Sequence, residues 1–94
     1  MILVVVHYHF KKGQGEAFFN AVTSEGIDKM SQAEDGNFLY ELARPVGDPD
    51  TGLLVEKWES AEALAKHGTQ PHYLRLGEIK NLYVENTEVE KFNV

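Results

Sequence analysis

Hydrophobic and polar positions along the chain fall into six blocks. The first, Ile2 to Phe10, is a run of β-branched and aromatic residues closed by Lys11-Lys12-Gly13, which predicts a buried strand. Successive strand side chains point to opposite faces. Ile2, Val4, Val6, Tyr8 and Phe10 therefore make one wholly apolar face, while Leu3, Val5, His7 and His9 make a second that turns polar toward its end. The block from Gly15 to about Ala33 predicts one helix, because Phe19, Val22, Gly26, Met30 and Ala33 recur at spacings of three and four. Gly26 costs about 1 kcal/mol against Ala in mid-helix. It either permits close helix–sheet contact or kinks the helix. Glu34-Asp35-Gly36-Asn37 is a stop and a turn.

Phe38 to Ala43 predicts a second strand, with Phe38, Tyr40 and Leu42 on one face and Leu39, Glu41 and Ala43 on the other. Pro45 to Gly52 is dense in turn formers and predicts a loop between strands. Leu53 to Trp58 is the third strand. Ser60 is placed to cap a helix that runs to about His67, and Pro71 suits the first turn of another reaching about Lys80. Leu82 to Phe92 closes the chain as a strand, with Val84, Glu88, Glu90 and Phe92 on one side and Tyr83, Val89 and Lys91 on the other. The order β-α-β-β-α-β predicts an α+β, ferredoxin-like antiparallel sheet in a single domain over residues 1–94. Two helical segments cover one face of four strands. Leu3, Val5, Leu39 and Val89 are expected on the other face, and a sheet apolar on both sides predicts a homodimer with two sheets packed together.

Composition narrows the partners. Nine Lys and Arg against fifteen Asp and Glu give a formal charge of −6, and no basic stripe suits nucleic acid or an anionic membrane. There is no cysteine, which removes disulfides, thiolate zinc sites and cysteine nucleophiles together. The opening apolar run is far shorter than the roughly 20 residues a bilayer span needs and lacks the features of a signal peptide. The cytoplasm is the expected location.

No G-x-G-x-x-G, Walker A or H-E-x-x-H pattern is present, so no motif-borne cofactor is implied. The chemistry rests with four histidines, one tryptophan and four tyrosines. Trp58 is either a core anchor or a pocket wall. His67 and His72 bracket a helix break. They are either a helix end and a first-turn surface residue, or a pair at a pocket rim able to move a proton from a phenol or enol. His7 and His9 share a strand face and offer two ligands, short of the three or four a metal site needs unless Glu41 or Glu56 approaches. Glu41 and Glu56 lie mid-strand as ion-pair partners or bases.

The segment Ala33 to Leu42, the Pro-Gly-Asp loop, Leu-Val-Glu56-Lys-Trp58-Glu-Ser-Ala-Glu-Ala-Leu, then His67 and Pro71-His72-Tyr73, resembles the antibiotic biosynthesis monooxygenase family over nearly the whole chain. One departure is Asp35-Gly36 where that family carries Glu-Pro-Gly. The resemblance implies a dimeric α/β barrel and oxidation of a small aromatic or quinol substrate by molecular oxygen, without metal or flavin. It places His72, Trp58 and His67 as catalytic residues, with His72 moving the proton and Trp58 stacking. Tyr40, Glu56 and Tyr73 would touch the substrate. The haem-degrading branch uses an Asn on the first strand, and Val6 stands at the nearest position here, so haem degradation is not expected. Two other activities remain open: an isomerase or degrading enzyme for a small oxygenated signal metabolite, and a non-catalytic, stress-related ligand-binding dimer.

Overall fold

A computed structural model describes residues 1–94. The elements are β1 (Ile2–Phe10), α1 (Gly15–Ser24), α2 (Ile27–Gln32), β2 (Asn37–Ala43), β3 (Thr51–Trp58), α3 (Ala61–His67), α4 (Pro71–Tyr83) and β4 (Val84–Asn93). All strand pairs are antiparallel, in the order β2-β3-β1-β4. This is the ferredoxin-like layer expected from the blocks, with each helical segment divided in two. No helix is long and apolar enough to cross a membrane.

The first helical block is two helices, not one. Gly26 takes φ +71°, a left-handed conformation that breaks the ladder, and the chain restarts at the buried Ile27. The inward stripe is re-phased at this break. Ile27 and Ser31 face the core, whereas Met30 and Ala33 are exposed. At the other end, α4 runs on through Leu82 and Tyr83, and β4 starts only at Val84. The last strand then carries a bulge, since Phe10 pairs with Val84 but His9 pairs with Asn86. The extra residue turns Val84 toward the helices and away from the Glu88 face. Val89 is also corrected, because it pairs with the buried Val6 and so lies on the helix-side face.

Even positions of β1 pack under the helices with Phe18, Phe19, Val22, Leu54 and Ile79. Tyr8, Phe10, Phe18 and Phe19 interlock with ring centroids 4.9 to 5.7 Å apart for the pairs Tyr8–Phe18, Phe10–Phe18, Phe10–Phe19 and Phe18–Phe19. The opposite face carries Leu3, Val5, Leu39, Val55 and Phe92 with His7 and His9.

Candidate functional site

Four elements meet at the Trp58 end of the sheet. The turn after α2 holds Gly36 at φ +84°, and its carbonyl accepts the Glu59 N–H at 2.7 Å. This seats the turn against α3 and points Glu34 inward. Ser60 caps α3 by accepting the Ala63 N–H at 3.2 Å, and the helix ends on His67. Pro71 opens α4, bringing His72 into its first turn.

Glu34 is the hub. Its Oε2 lies 2.5 Å from His67 Nδ1 and 2.7 Å from His72 Nε2, and the three side chains are only 13%, 3% and 9% exposed. Such charge-assisted bonds are about twice as strong as neutral ones. On its other side, His67 Nε2 stands 3.8 Å from Glu56 Oε1, which accepts the Trp58 indole N–H at 3.0 Å. The chain of contacts is therefore Trp58–Glu56–His67–Glu34–His72. The His67 ring lies 4.6 Å from the Trp58 ring and 5.2 Å from that of Tyr73. Burial pushes the Glu56 carboxyl above the usual carboxylate range, while the Trp58 N–H, His67 and Lys91 pull against that rise. Burial likewise raises the Tyr8 and Tyr40 phenols, Glu56 adding to both, so each keeps its O–H at neutral pH.

A cavity of about 270 Å³ lies between the sheet and α3 and α4. Val4, Val6 and Leu54 form its floor, Leu64 and Leu76 its roof, and Tyr8, Tyr40, Glu56, His67 and Tyr73 supply polar edges. Lys80 and Lys91 close one side. A wider groove of about 680 Å³ runs between Lys12–Glu16 and the Pro45–Thr51 loop, and Phe19 is its single hydrophobic lining residue. That loop borders the groove, not the cavity.

A model of the family described as "Antibiotic biosynthesis monooxygenase" matches residues 1–78. The chain belongs to this family. It is 30% identical over 73 residues to the Bacillus subtilis (strain 168) protein named "Putative monooxygenase YcnE", covering 78% of this chain and 75% of that one. The fold superposes on PA3566 from Pseudomonas aeruginosa with a TM-score of 0.89 at 20% identity, over 99% of this chain and 92% of that one. It superposes on a structure titled "Putative antibiotic biosynthesis monooxygenase from Nitrosomonas europaea" with a TM-score of 0.90 at 22% identity, over 100% and 98%. Membership of the monooxygenase family supports a monooxygenase-type activity.

Of the six residues expected at a monooxygenase site, Tyr40, Glu56, His67 and Tyr73 line the cavity. Trp58 and His72 do not. Trp58 is fully buried one layer behind, so it holds Glu56 and has no face free for stacking. His72 reaches the cavity only through Glu34 and His67, so it is not placed to move a substrate proton directly. Sequence reasoning missed Glu34, which it took for part of a turn. The available signal was an acid two residues before the turn glycine, where the family's Glu-Pro-Gly carries its own acid. It also missed Lys80, which follows Tyr73, Leu76 and Gly77 on one helical stripe.

Ligating atoms of Glu34, His67 and His72 lie within 4.8 Å of one another, a set able to hold a metal ion. As arranged, both imidazoles are engaged with the same carboxylate oxygen. His7 and His9 do not converge. Each bonds a separate β4 carboxylate at 2.9 Å, Glu90 and Glu88 respectively, and neither Glu41 nor Glu56 joins them.

Proposed function

We propose that the chain is a cofactor-independent monooxygenase that oxidises a small aromatic quinol with molecular oxygen in the cavity beneath α3 and α4. The observation that carries this reading is the aim of His67. A neutral imidazole that donates Nδ1–H to Glu34 keeps its Nε2 lone pair for the cavity side. That nitrogen takes the hydroxyl proton of a quinol, and Glu34 steadies the imidazolium that results. The electron-rich quinolate gives an electron to oxygen, and recombination at an adjacent ring carbon forms a hydroperoxide. Loss of the ring C–H proton with cleavage of the O–O bond leaves a carbonyl and releases water. One quinol and one O₂ thus give one hydroxyquinone and one water, and the substrate supplies all four electrons. The Tyr8 hydroxyl is the donor for an oxygen on which charge develops, the Tyr40 hydroxyl being engaged with Ser31. His72 and Trp58 act as positioning residues, for Glu34 and Glu56 respectively.

The working unit we propose is a homodimer closed over the outer sheet face, where Leu3, Val5, Leu39, Val55 and Phe92 lie interleaved with Lys57, Glu41 and Glu90 and the helices do not reach. A chain without cysteine suits the reducing cytoplasm.

The test is oxygen uptake with a panel of benzene and naphthalene quinols, in the presence of EDTA. The expected result is uptake matched one to one with quinol loss, falling by about 10²-fold or more in His67→Ala. Uptake no faster than autoxidation for every quinol, or an unchanged rate in His67→Ala, overturns the reading. Activity abolished by EDTA would give Glu34, His67 and His72 to a metal instead.

A further inference from the structure

The cavity has one feature the proton chemistry does not use. Tyr73, Leu76, Gly77 and Lys80 fall at i, i+3, i+4 and i+7 on α4, so Lys80 shares the face that roofs the cavity. A Cβ placed on Gly77 would meet nothing within 4 Å, which leaves the roof open above the floor of β1. On the floor, Lys91 pairs with Val4, and Val4 pairs in turn with Glu56. Lys91 and Glu56 therefore stand in one row two strands apart, about 10 Å between backbones. Lys80 also lines a shallow surface hollow with Val84, Glu85 and Thr87 at the start of β4.

Lys80 has no counter-charge, and Lys91 faces the Glu56 carboxyl across the cavity without forming an ion pair with it. The ion pairs of the molecule involve His7, His9, Arg44, His67, His72 and Arg75 alone. The Lys80 ammonium rests 5.7 Å above the centroid of the Tyr8 ring. Burial without a counter-charge holds its pKa below the usual lysine value. An ammonium partly withdrawn from water and unpaired is costly to keep, and an incoming anion recovers that cost. The chain as a whole carries a charge of −6, so long-range attraction does not bring an anion here and the local pair must.

We infer that the cavity selects an aromatic ligand bearing a carboxylate, anchored by Lys80 with Lys91 flanking it, while the hydroxyl end of the ligand reaches Glu56 and His67. A cavity of about 270 Å³ lies just below the range of roughly 300 to 1,000 Å³ typical for drug-sized ligands, so it suits a one- or two-ring acid. Lysine is a compact point charge with three rotatable donors, so it pairs with a carboxylate by charge and does not fix its orientation. The inference rests on the same cavity as the proposed oxygenase reaction but is tested by binding without turnover.

The experiment is calorimetric titration of the protein with 1-hydroxy-2-naphthoate and with 1-naphthol at pH 7, using wild type, Lys80→Met and Lys91→Met, each first checked for an unchanged circular dichroism spectrum. Wild type is expected to bind the naphthoate at least tenfold more tightly than the naphthol. Lys80→Met should lose at least fivefold in naphthoate affinity with naphthol unchanged within twofold, and Lys91→Met should lose less. Raising salt from about 50 to 500 mM should weaken only the naphthoate. Equal affinity for the two probes, no binding of the naphthoate, or a preference that survives Lys80→Met overturns the inference. Selective naphthoate binding with no oxygen uptake from any quinol would keep it and discard the oxygenase reading.

Discussion

His67 is tied to Glu34 through a 2.5 Å contact between Nδ1 and Oε2, which leaves Nε2 on the side of Glu56, 3.8 Å from its Oε1, where both residues line the cavity. Glu34→Gln keeps the shape and removes the charge. The two imidazole bonds then fall from charge-assisted to neutral, a loss of about 1 to 3 kcal/mol for the buried pair. Urea unfolding should report that loss. Oxygen uptake should show kcat reduced by about 10²-fold with KM within about twofold, because the carboxylate steadies the imidazolium and does not touch the quinol. A wild-type kcat in this variant would remove Glu34 from the mechanism.

Glu56 makes the fold weaker as pH rises. Its carboxyl is raised in the folded chain, chiefly by burial. The folded state therefore holds a proton that the unfolded state has already released, and stability declines from the ordinary carboxylate range up to the folded value, by about 1.4 kcal/mol for each unit separating the two. Glu56→Gln cannot ionise but still offers an oxygen to the Trp58 indole. Its melting temperature relative to wild type should climb between pH 4.5 and 8. A constant difference across that range would show that the carboxyl is not raised.

Gly26 and Gly36 both hold positive φ, +71° and +84°, yet their alanine variants should differ. At Gly26 an added Cβ meets nothing within 4 Å, so Gly26→Ala pays only for its left-handed backbone, about 1 to 2 kcal/mol. At Gly36 the Cβ would lie 2.8 Å from the Cβ of Ala63, and α3 has to move. Gly36→Ala should cost more stability and also lower kcat, since Glu34 and His67 ride on the two parts being pushed apart. Equal melting temperatures and rates in the two variants would contradict this account.

The strands were legible because β1 and β3 carry their pattern in β-branched and aromatic residues whose even and odd positions differ. What escaped was phase. Gly26 was visible as a weak point, but only the backbone shows that it re-aims the stripe from Met30 to Ile27 and Ser31. Leu82 and Tyr83 are as good in a strand as in a helix, and the switch is set by the Tyr83 carbonyl accepting the Lys11 N–H at 2.9 Å, a contact between chain positions far apart. The site was legible to the extent that its residues sit on regular elements. Glu56 is marked by its place in mid-strand, whereas Tyr40 and Tyr73 enter only through the family resemblance. Glu34 sits in a turn, where no periodicity says which way a side chain points, and Trp58 and His72 lie one layer deeper than spacing alone could tell.

The outer sheet face supplies the last prediction. Val5 and Val55 are cross-strand partners at its centre, flanked by Glu41 and Glu90, with Leu3 and Leu39 on either side of Lys57 in the next row, and neither helix layer reaches them. Water is a poor neighbour for such a patch, and a twofold partner presenting the same residues would cover it. Val55→Lys places an ammonium at the middle of the patch, while on a solvent-facing strand the same change costs little. Sedimentation at micromolar concentration should give a dimer for wild type and a monomer for Val55→Lys. The melting temperature of wild type should rise with protein concentration, and that of the variant should not. A wild-type monomer would leave the apolar face without its proposed cover. A dimer that survives Val55→Lys unchanged would move the interface elsewhere, to the helix side of the β4 edge where Val89 remains half open to solvent.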